Sequence, residues 1–375
     1  MKVVSLFSGA GGLDLGFIQA GHTIVWANDL YADAVATYRH NIGNHIVEKD
    51  IKDIASSYIN ILYYGVPIQM LSNNFTAISR STGESKKPLY FFSVSVVVNF
   101  ILDIIFVKYL SLGVEGAAVA TLISHFTACL LNGIYVFRFN KNVKLKKSDL
   151  KLNKRTAFYQ IRMGIPVSLQ FTVTSIGSMC LQSVVNSFGT NVIAGFTAAA
   201  RVEGITNIPM SGLGVATQTF VGQNYGAENY NRIKKGVKQI LLLDLLVSVA
   251  MSLILYFAAE PVISLFGNNM TGEIMVAAKR YILAIAQCYS LVAILFVMRN
   301  SLQGMGFTYA NSIAGIGELF GRLSVAFILT PLLGFDAICY AGPAAWLLAD
   351  IPLIIIYIKK RQFKLSNGDK PVLER

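Results

Sequence analysis

The chain has 375 residues, of which 54% are hydrophobic and only 14% are charged, and its mean hydropathy is +0.54. Ordinary soluble domains carry about a quarter charged residues, so this composition excludes a soluble globular enzyme for the whole chain. The formal net charge is +12, but the lysines and arginines gather in short connectors between apolar runs rather than along one helical face. We therefore expect an all-α polytopic membrane protein with a lipid bilayer as its partner and no functional nucleic-acid binding.

The first 54 residues differ from the rest and resemble the start of a soluble α/β fold. Apolar runs at 3–7 and 23–27 predict two strands, and a helix-like stretch follows each of them. A Gly-rich turn, FSGAGGLDLGF, follows the first strand, and Asp29 and Asp50 lie further on. Glycines allow a ligand to approach the backbone, and an acid at a strand end can accept ribose hydroxyls. Alone, this pattern is a weak indication of a nucleotide-like cofactor.

Nine apolar segments follow, each close to the roughly 20 residues that cross a hydrocarbon core. They are predicted at 59–78, 90–110, 114–137, 164–188, 192–220, 240–259, 281–302, 313–333 and 338–358. Most lysines and arginines lie in the connectors after the first, third, fifth, seventh and ninth segments, and Arg299 is assigned to the connector after the seventh segment. Positively charged connectors face the cytoplasm. This alternation predicts a cytoplasmic C-terminus, and the first 54 residues on the opposite side. The four cysteines lie inside apolar runs, without metal-ligand spacing.

Polar residues inside predicted spans are costly and are therefore functional candidates. Asn99 and Asp103 are four residues apart, so they lie on one helical face, which we expect to point toward the span that carries Thr121. An acid with amide and hydroxyl neighbours can take up a proton or a small cation. Alternatively, Asp103 lies near the end of its span, where it pairs with Lys108 or caps the helix and has only a structural role.

Further charges lie in the second half of the chain. Glu318 and Arg322 are four residues apart, and a satisfied intrahelical ion pair is the favoured interpretation. Glu203 lies within the segment at 192–220, and its functional and structural interpretations are equally open. Asp244 and Asp350 also lie within predicted spans.

Several strings resemble the multidrug and toxic compound extrusion (MATE) family from about residue 57 to the C-terminus. They are RSTGESKKP at 80–88, NFILD at 99–103, GVEGAAVAT, MGIPVSLQ, FTAAARVEGITNIPMSGLGVATQTFVGQNYGAE and LQGMG. The resemblance implies two six-helix lobes in a bacterial inner membrane, and export of drugs or other organic, cationic small molecules in exchange for H⁺ or Na⁺. It places the cation site of the amino lobe on Asn99, Asp103 and Thr121, and we add Glu203 as a candidate in the other lobe.

The sequence also departs from the family pattern. Three helices that family members have before the equivalent of 59–78 are not found, so a truncated exporter with impaired transport is expected. The predicted parts are a methyltransferase-like fragment at 1–54, a three-helix amino lobe at 55–137, a basic cytoplasmic linker at 138–162, a six-helix carboxy lobe at 163–358 and a basic cytoplasmic tail at 359–375.

The Gly-rich turn, WANDL at 26–30 and the later Asp-Ile pair are similar to the beginning of DNA cytosine-5 methyltransferases. The resemblance implies a Rossmann-like site for S-adenosylmethionine, lined by Phe7, Gly9, Gly11, Gly12, Leu13, Asp29, Asp50 and Ile51. The family's Pro-Cys nucleophile has no counterpart, so methyl transfer lacks a covalent route. Two strands and two helices also bury too little to stand alone, and we do not expect the cofactor to bind. The alternatives to an exporter are this catalytically incomplete fragment and a nonfunctional hybrid.

Overall fold

A computed structural model describes residues 2–6, 12–19, 23–110, 112–140, 153–266 and 272–366. The chain divides into two compact units, Met1–Lys151 and Leu152–Arg375. Each unit is built mainly of helices, and the first also contains a small sheet.

The first unit begins with three parallel strands in the order β1-β2-β3. The elements are β1 (Lys2–Leu6), α1 (Gly12–Gln19), β2 (Thr23–Asp29), α2 (Ala32–Asn41) and β3 (Ile46–Glu48). Ile24, Val35 and Tyr38 belong to a small apolar core. The Tyr38 hydroxyl donates a 2.7 Å hydrogen bond to the buried carboxylate of Asp14. Burial and this carboxylate raise the pKa of Tyr38, so the phenol stays neutral at physiological pH.

Three long helices complete the first unit. They are α3 (Ile51–Ser81), α4 (Lys86–Asp103, continued as a π-helix over Ile104–Tyr109) and α5 (Gly113–Ile134, continued as a π-helix over Tyr135–Phe139). The buried residues of α5 include Gly116 and Ala120 on one face and Ala118 on another, and these small side chains let α5 pack against both α3 and α4.

The second unit contains eleven α-helices within the described residues after 152. They are α6 (Lys154–Val185), α7 (Thr190–Thr206), α8 (Ile208–Gly226), α9 (Tyr230–Phe257), α10 (Ala259–Ser264), α11 (Glu273–Gln287), α12 (Tyr289–Gly304), α13 (Tyr309–Ser324, continued as a π-helix over Val325–Leu329), α14 (Thr330–Leu333), α15 (Phe335–Cys339) and α16 (Ala341–Ser366). Their apolar faces share one core, to which Met210, Ile285 and Leu353 belong.

Six helical segments of the described chain are long and apolar enough to cross a membrane. They are Lys86–Tyr109, Gly113–Phe139, Lys154–Phe188, Tyr230–Phe257, Tyr309–Leu333 and Ala341–Lys360, and each overlaps a predicted span. The pair α11 and α12 passes the same test together but is bent by 55°, so the predicted segment 281–302 is not straight. With that pair, up to seven helical segments of the described chain pass this test of length and composition, compared with nine predicted spans.

Two predicted spans are not among these seven. The prediction of one helix over 192–220 is wrong, because the helix is interrupted at Asn207, between the end of α7 and the start of α8. Pro209 follows this break, and a proline cannot donate the backbone hydrogen bond that would continue a helix through it. The segment 59–78 lies within α3, which carries polar residues such as Gln69 and Asn73.

Glycines bring α13 into backbone contact with two neighbours. A Cβ atom on Gly317 would lie 2.6 Å from the carbonyl oxygen of Leu348 in α16. A Cβ atom on Gly315 would lie 3.0 Å from the Cα of Gln170 in α6. Only glycine permits so close an approach. As a result, the polar side chains of α13 are held between α6, α12 and α16.

Candidate functional site

The structure places two of the residues predicted for the amino-lobe cation site on one face of α4. Asn99 and Asp103 are half-buried, and the Nδ2 atom of Asn99 and the Oδ1 atom of Asp103 are enclosed without a hydrogen-bond partner in the described part of the chain. Thr121 lies on α5, where its hydroxyl donates to the carbonyl oxygen of Ala117 at 3.0 Å. No hydrogen bond within the described residues joins Thr121 to Asp103.

Thr121 instead lines a groove between α3 and α5. The groove has a volume of about 490 Å³, and its other polar side chains include Gln69 and His125. Asn99 and Asp103 are not among its lining residues. The three predicted residues therefore lie on adjacent helices but do not form one hydrogen-bonded site.

The second unit contains a connected cluster of buried charges centred on Glu318. This carboxylate is 3% exposed, and it accepts a hydrogen bond from Arg322 at 3.3 Å, one turn later on α13. The predicted intrahelical pair is thus confirmed. Glu318 also accepts from the hydroxyl of Thr174 on α6 at 3.1 Å, and from the guanidinium of Arg299 on α12. One acid therefore binds donors from three helices.

The position of Arg299 differs from the one predicted from the sequence. The alternation of charges assigned this residue to a connector, but it lies inside α12 with a side chain that is only 12% exposed. Its position after the apolar run LVAILFVM at 291–298 was a signal for a buried charge. The identity of its partner was not predictable, because Glu318 is nineteen residues away on another helix.

Two further carboxylates adjoin this cluster. Asp350 on α16 is buried, neither of its carboxylate oxygens has a hydrogen-bond partner among the described residues, and it interacts electrostatically with Arg299 and Glu318. Glu203 on α7 accepts a 2.8 Å hydrogen bond from the Tyr281 hydroxyl on α11 and interacts electrostatically with Arg322.

The charges of this cluster alternate in sign from one neighbour to the next. In order they are Glu203, Arg322, Glu318, Arg299 and Asp350. We call these five residues the charge chain. Three carboxylates and two guanidinium groups leave one negative charge when all five are ionised. Since a net charge is costly in a low-dielectric interior, uptake of one proton or one monovalent cation is the chemistry that this arrangement favours.

The residues predicted to bind S-adenosylmethionine are only partly described. Phe7, Gly9 and Gly11 lie outside the described residues, Gly12 and Leu13 are the first residues of α1, and Ile51 is the first residue of α3. Asp29 accepts the backbone N–H of Tyr31 at 3.0 Å, and Asp50 accepts that of Lys52 at 2.9 Å as the N-cap of α3. Both acids thus accept hydrogen bonds from backbone N–H groups two residues further along the chain.

Comparison with known proteins identifies two families. Residues 166–328 match the MatE family, and residues 1–99 match the C-5 cytosine-specific DNA methylase family. The first match contains four members of the charge chain and lies wholly in the second unit.

Relatives and solved structures agree with the first of these matches. The chain is 25% identical over 322 residues to the probable multidrug resistance protein YoeA of Bacillus subtilis, covering 82% of this chain and 68% of the relative. It is 33% identical over 180 residues to the probable multidrug resistance protein YpnP of the same organism, covering 48% of this chain and 40% of that protein. This chain therefore spans between two fifths and about two thirds of these relatives.

The fold is similar to that of solved transporters. A MATE crystal structure in the bent conformation has a TM-score of 0.75 at 20% identity, covering 96% of this chain and 75% of the other. The outward-facing conformation of a multidrug resistance MATE transporter has a TM-score of 0.78 at 21% identity, covering 88% and 74%.

Proposed function

We propose that the helical part of the chain is a transporter of the MATE family, and that it exports small organic molecules across a membrane in exchange for a monovalent cation, H⁺ or Na⁺. The family consists of transporters rather than enzymes, and the proposal assigns no covalent chemistry to the chain. The multidrug relatives support a broad class of substrates, and we propose organic cations. We further propose a bacterial inner membrane with the C-terminus in the cytoplasm.

The observation that carries the proposal is the charge chain. Asp350, a carboxylate with no hydrogen-bond partner among the residues that the structure describes, interacts electrostatically with an arginine that already binds Glu318. When Asp350 is ionised, the two acids share Arg299. When Asp350 is protonated or binds Na⁺, Arg299 interacts with Glu318 alone. Cation binding therefore changes the forces among α12, α13 and α16, which is the requirement for coupling to transport.

Asn99 and Asp103 remain a proposed second cation site. The enclosed Oδ1 atom of Asp103 has no partner in the described residues of the first unit, which leaves it available to a cation, whereas the enclosed Asn99 atom is the amide nitrogen, which donates hydrogen bonds and does not bind cations. An ion bound there requires at least one further oxygen ligand. The Thr121 hydroxyl is a candidate for this ligand, because its oxygen keeps its lone pairs while its hydrogen is donated to the carbonyl oxygen of Ala117.

The test is export of a fluorescent organic cation from cells and from proteoliposomes with an imposed pH or Na⁺ gradient. We expect Asp350→Asn to abolish the response to the gradient. A matched control is Glu273→Gln, since Glu273 bonds Asn191 in an exposed position. Accumulation as fast as in empty-vector cells, with the protein present in the membrane, contradicts transport and favours a nonfunctional hybrid. Gradient-driven export by Asp350→Asn equal to that of the unmodified chain contradicts the role of the charge chain alone.

We propose no cofactor function for the first 54 residues. Asp29 and Asp50, the acids that the resemblance assigns to ribose and adenine, each accept a local backbone N–H. Titration of the purified chain with S-adenosylmethionine is expected to give no saturable heat. Saturable binding that is lost in Asp29→Ala, with the fold retained, contradicts this view.

A further inference from the structure

A groove in the second unit combines a basic end with an apolar wall. It lies between α9, α12 and α16 and has a volume of about 480 Å³. Lys234, Lys235 and Lys238 line it on α9. The apolar wall is formed by Leu241, Ile294, Met298, Ile354 and Ile358.

The three lysines at the basic end form no ion pair with a carboxylate of the described residues. No carboxylate in the described part of the chain lies within 4.0 Å of the ammonium groups of Lys234, Lys235 or Lys238. Lys360 approaches from α16, since it lines an adjoining cavity together with Lys234, and its ammonium lies 5.0 Å from the ring centre of Phe307. Three lysines thus line one end of an otherwise apolar groove, and a fourth, Lys360, lines the cavity beside it.

The position of this groove along the helices matches a membrane interface. The helices α9 and α16 both belong to candidate spans, and the lysines lie in the first turns of α9 and near the end of the α16 span. Tyr230 and Tyr357 lie at the same level and line the adjoining cavity. Tyrosines and lysines are enriched where a span meets the headgroups. From this level the groove runs toward Leu241 and Ile294, into the apolar part of the helices.

We propose that this groove binds an anionic phospholipid, with its phosphate at Lys234, Lys235 and Lys238 and an acyl chain along the wall formed by Leu241, Ile294 and Ile354. A basic pocket between transmembrane helices is the recognised form of such sites. A soluble anion gains nothing from the apolar wall, and an organic cation is repelled by the lysines. This site is separate from the charge chain and does not depend on the proposed transport.

The headgroup half of the proposal is tested by native mass spectrometry of the purified full chain with phosphatidylglycerol and with phosphatidylcholine. We expect preferential binding of phosphatidylglycerol. The triple variant K234Q/K235Q/K238Q is expected to weaken it by roughly fivefold for each lysine. The control is K86Q/K87Q/K154Q, which removes three exposed lysines at the starts of α4 and α6. Equal binding of the two lipids, or equal weakening by both triple variants, overturns the proposal.

The acyl-chain half is tested by filling the groove without altering its charge. Ile354→Trp is expected to lower phosphatidylglycerol affinity by about fourfold for each CH₂ group that it displaces from the wall. The control is Ile355→Trp, because Ile355 is an exposed neighbour that does not line the groove. Unchanged affinity in Ile354→Trp overturns the proposal. Binding of the soluble headgroup glycerophosphoglycerol as tightly as the lipid does so too, since it leaves no role for the apolar wall.

Discussion

Replacing Arg299 by Gln removes the central positive charge of the charge chain. Its guanidinium contacts Glu318 and interacts electrostatically with Asp350, so the substitution deprives two buried carboxylates of one counterion. Glu318 retains Arg322 at 3.3 Å and the Thr174 hydroxyl at 3.1 Å. Asp350 retains no hydrogen-bond partner among the described residues of its unit.

The contacts that Glu318 and Asp350 keep determine the expected loss in the free energy of unfolding. Removing one partner of a buried ion pair costs about 3–5 kcal/mol, because the remaining charge is left uncompensated in a low dielectric. Since Glu318 keeps two of its three donors, we expect the lower end, about 3 kcal/mol. Adding Glu318→Gln to Arg299→Gln removes one of the stranded charges, and the two substitutions are expected to be non-additive by about 1–3 kcal/mol.

The assay is equilibrium unfolding of the purified full chain in mixed micelles, for the two single variants and the double variant. Lys279→Gln serves as the control, because it breaks the exposed 2.7 Å pair with Glu260 and is expected to leave unfolding unchanged. If Arg299→Gln has the same free energy of unfolding as Lys279→Gln, Arg299 does not act as a buried counterion. The same conclusion holds if the effects of Arg299→Gln and Glu318→Gln are additive.

Two further substitutions test the positioning of the charge chain. Tyr281→Phe removes the 2.8 Å hydrogen bond to Glu203 and is expected to cost about 1.5–3 kcal/mol of unfolding free energy, as a bond to a charged group does; a change below 0.5 kcal/mol in the same assay contradicts it. Gly317→Ala places a Cβ atom 2.6 Å from the Leu348 carbonyl and is expected to destabilise the unit by about 1–3 kcal/mol. Gly204→Ala, where nothing lies within 4 Å, is expected to stabilise by about 0.5–1 kcal/mol, so equal effects at the two glycines refute the close contact of α13 with α16.

Hydropathy predicts a membrane-spanning helix well where the segment is apolar along its whole length. The segments 90–110, 114–137 and 240–259 each overlap one continuous apolar helix, because about 20 apolar residues carry enough signal by themselves. The breaks within 192–220 and 281–302 depend on local backbone conformation. Pro209 marks the first of them in the sequence. No comparable residue marks the 55° bend between α11 and α12.

The charged site shows the same limit. Glu318 and Arg322 were predictable as a pair, because four residues along one helix fix their distance. Tyr281 and Glu203 are 78 residues apart, and Thr174 and Glu318 are 144 apart, so their contacts depend on which helices are neighbours. A single sequence carries no direct signal for that arrangement. Thr121 lies on the helix next to that of Asp103, but no hydrogen bond within the described residues joins the two, so their association in one site stays a prediction.

Stability and coupling place different demands on the charge chain, and the variants separate them. Asp350 is a buried carboxylate with no hydrogen-bond partner within the described ranges of the chain. Replacing it by Asn is therefore expected to raise unfolding stability or leave it unchanged, even though gradient-driven export is lost. Arg299→Gln is expected to lower both. If a residue had only a structural role, its replacement would lower the free energy of unfolding, which is not expected for Asp350→Asn. A loss of coupling without a loss of stability therefore identifies the cation-binding acid, and an equal loss of both assigns Asp350 a structural role.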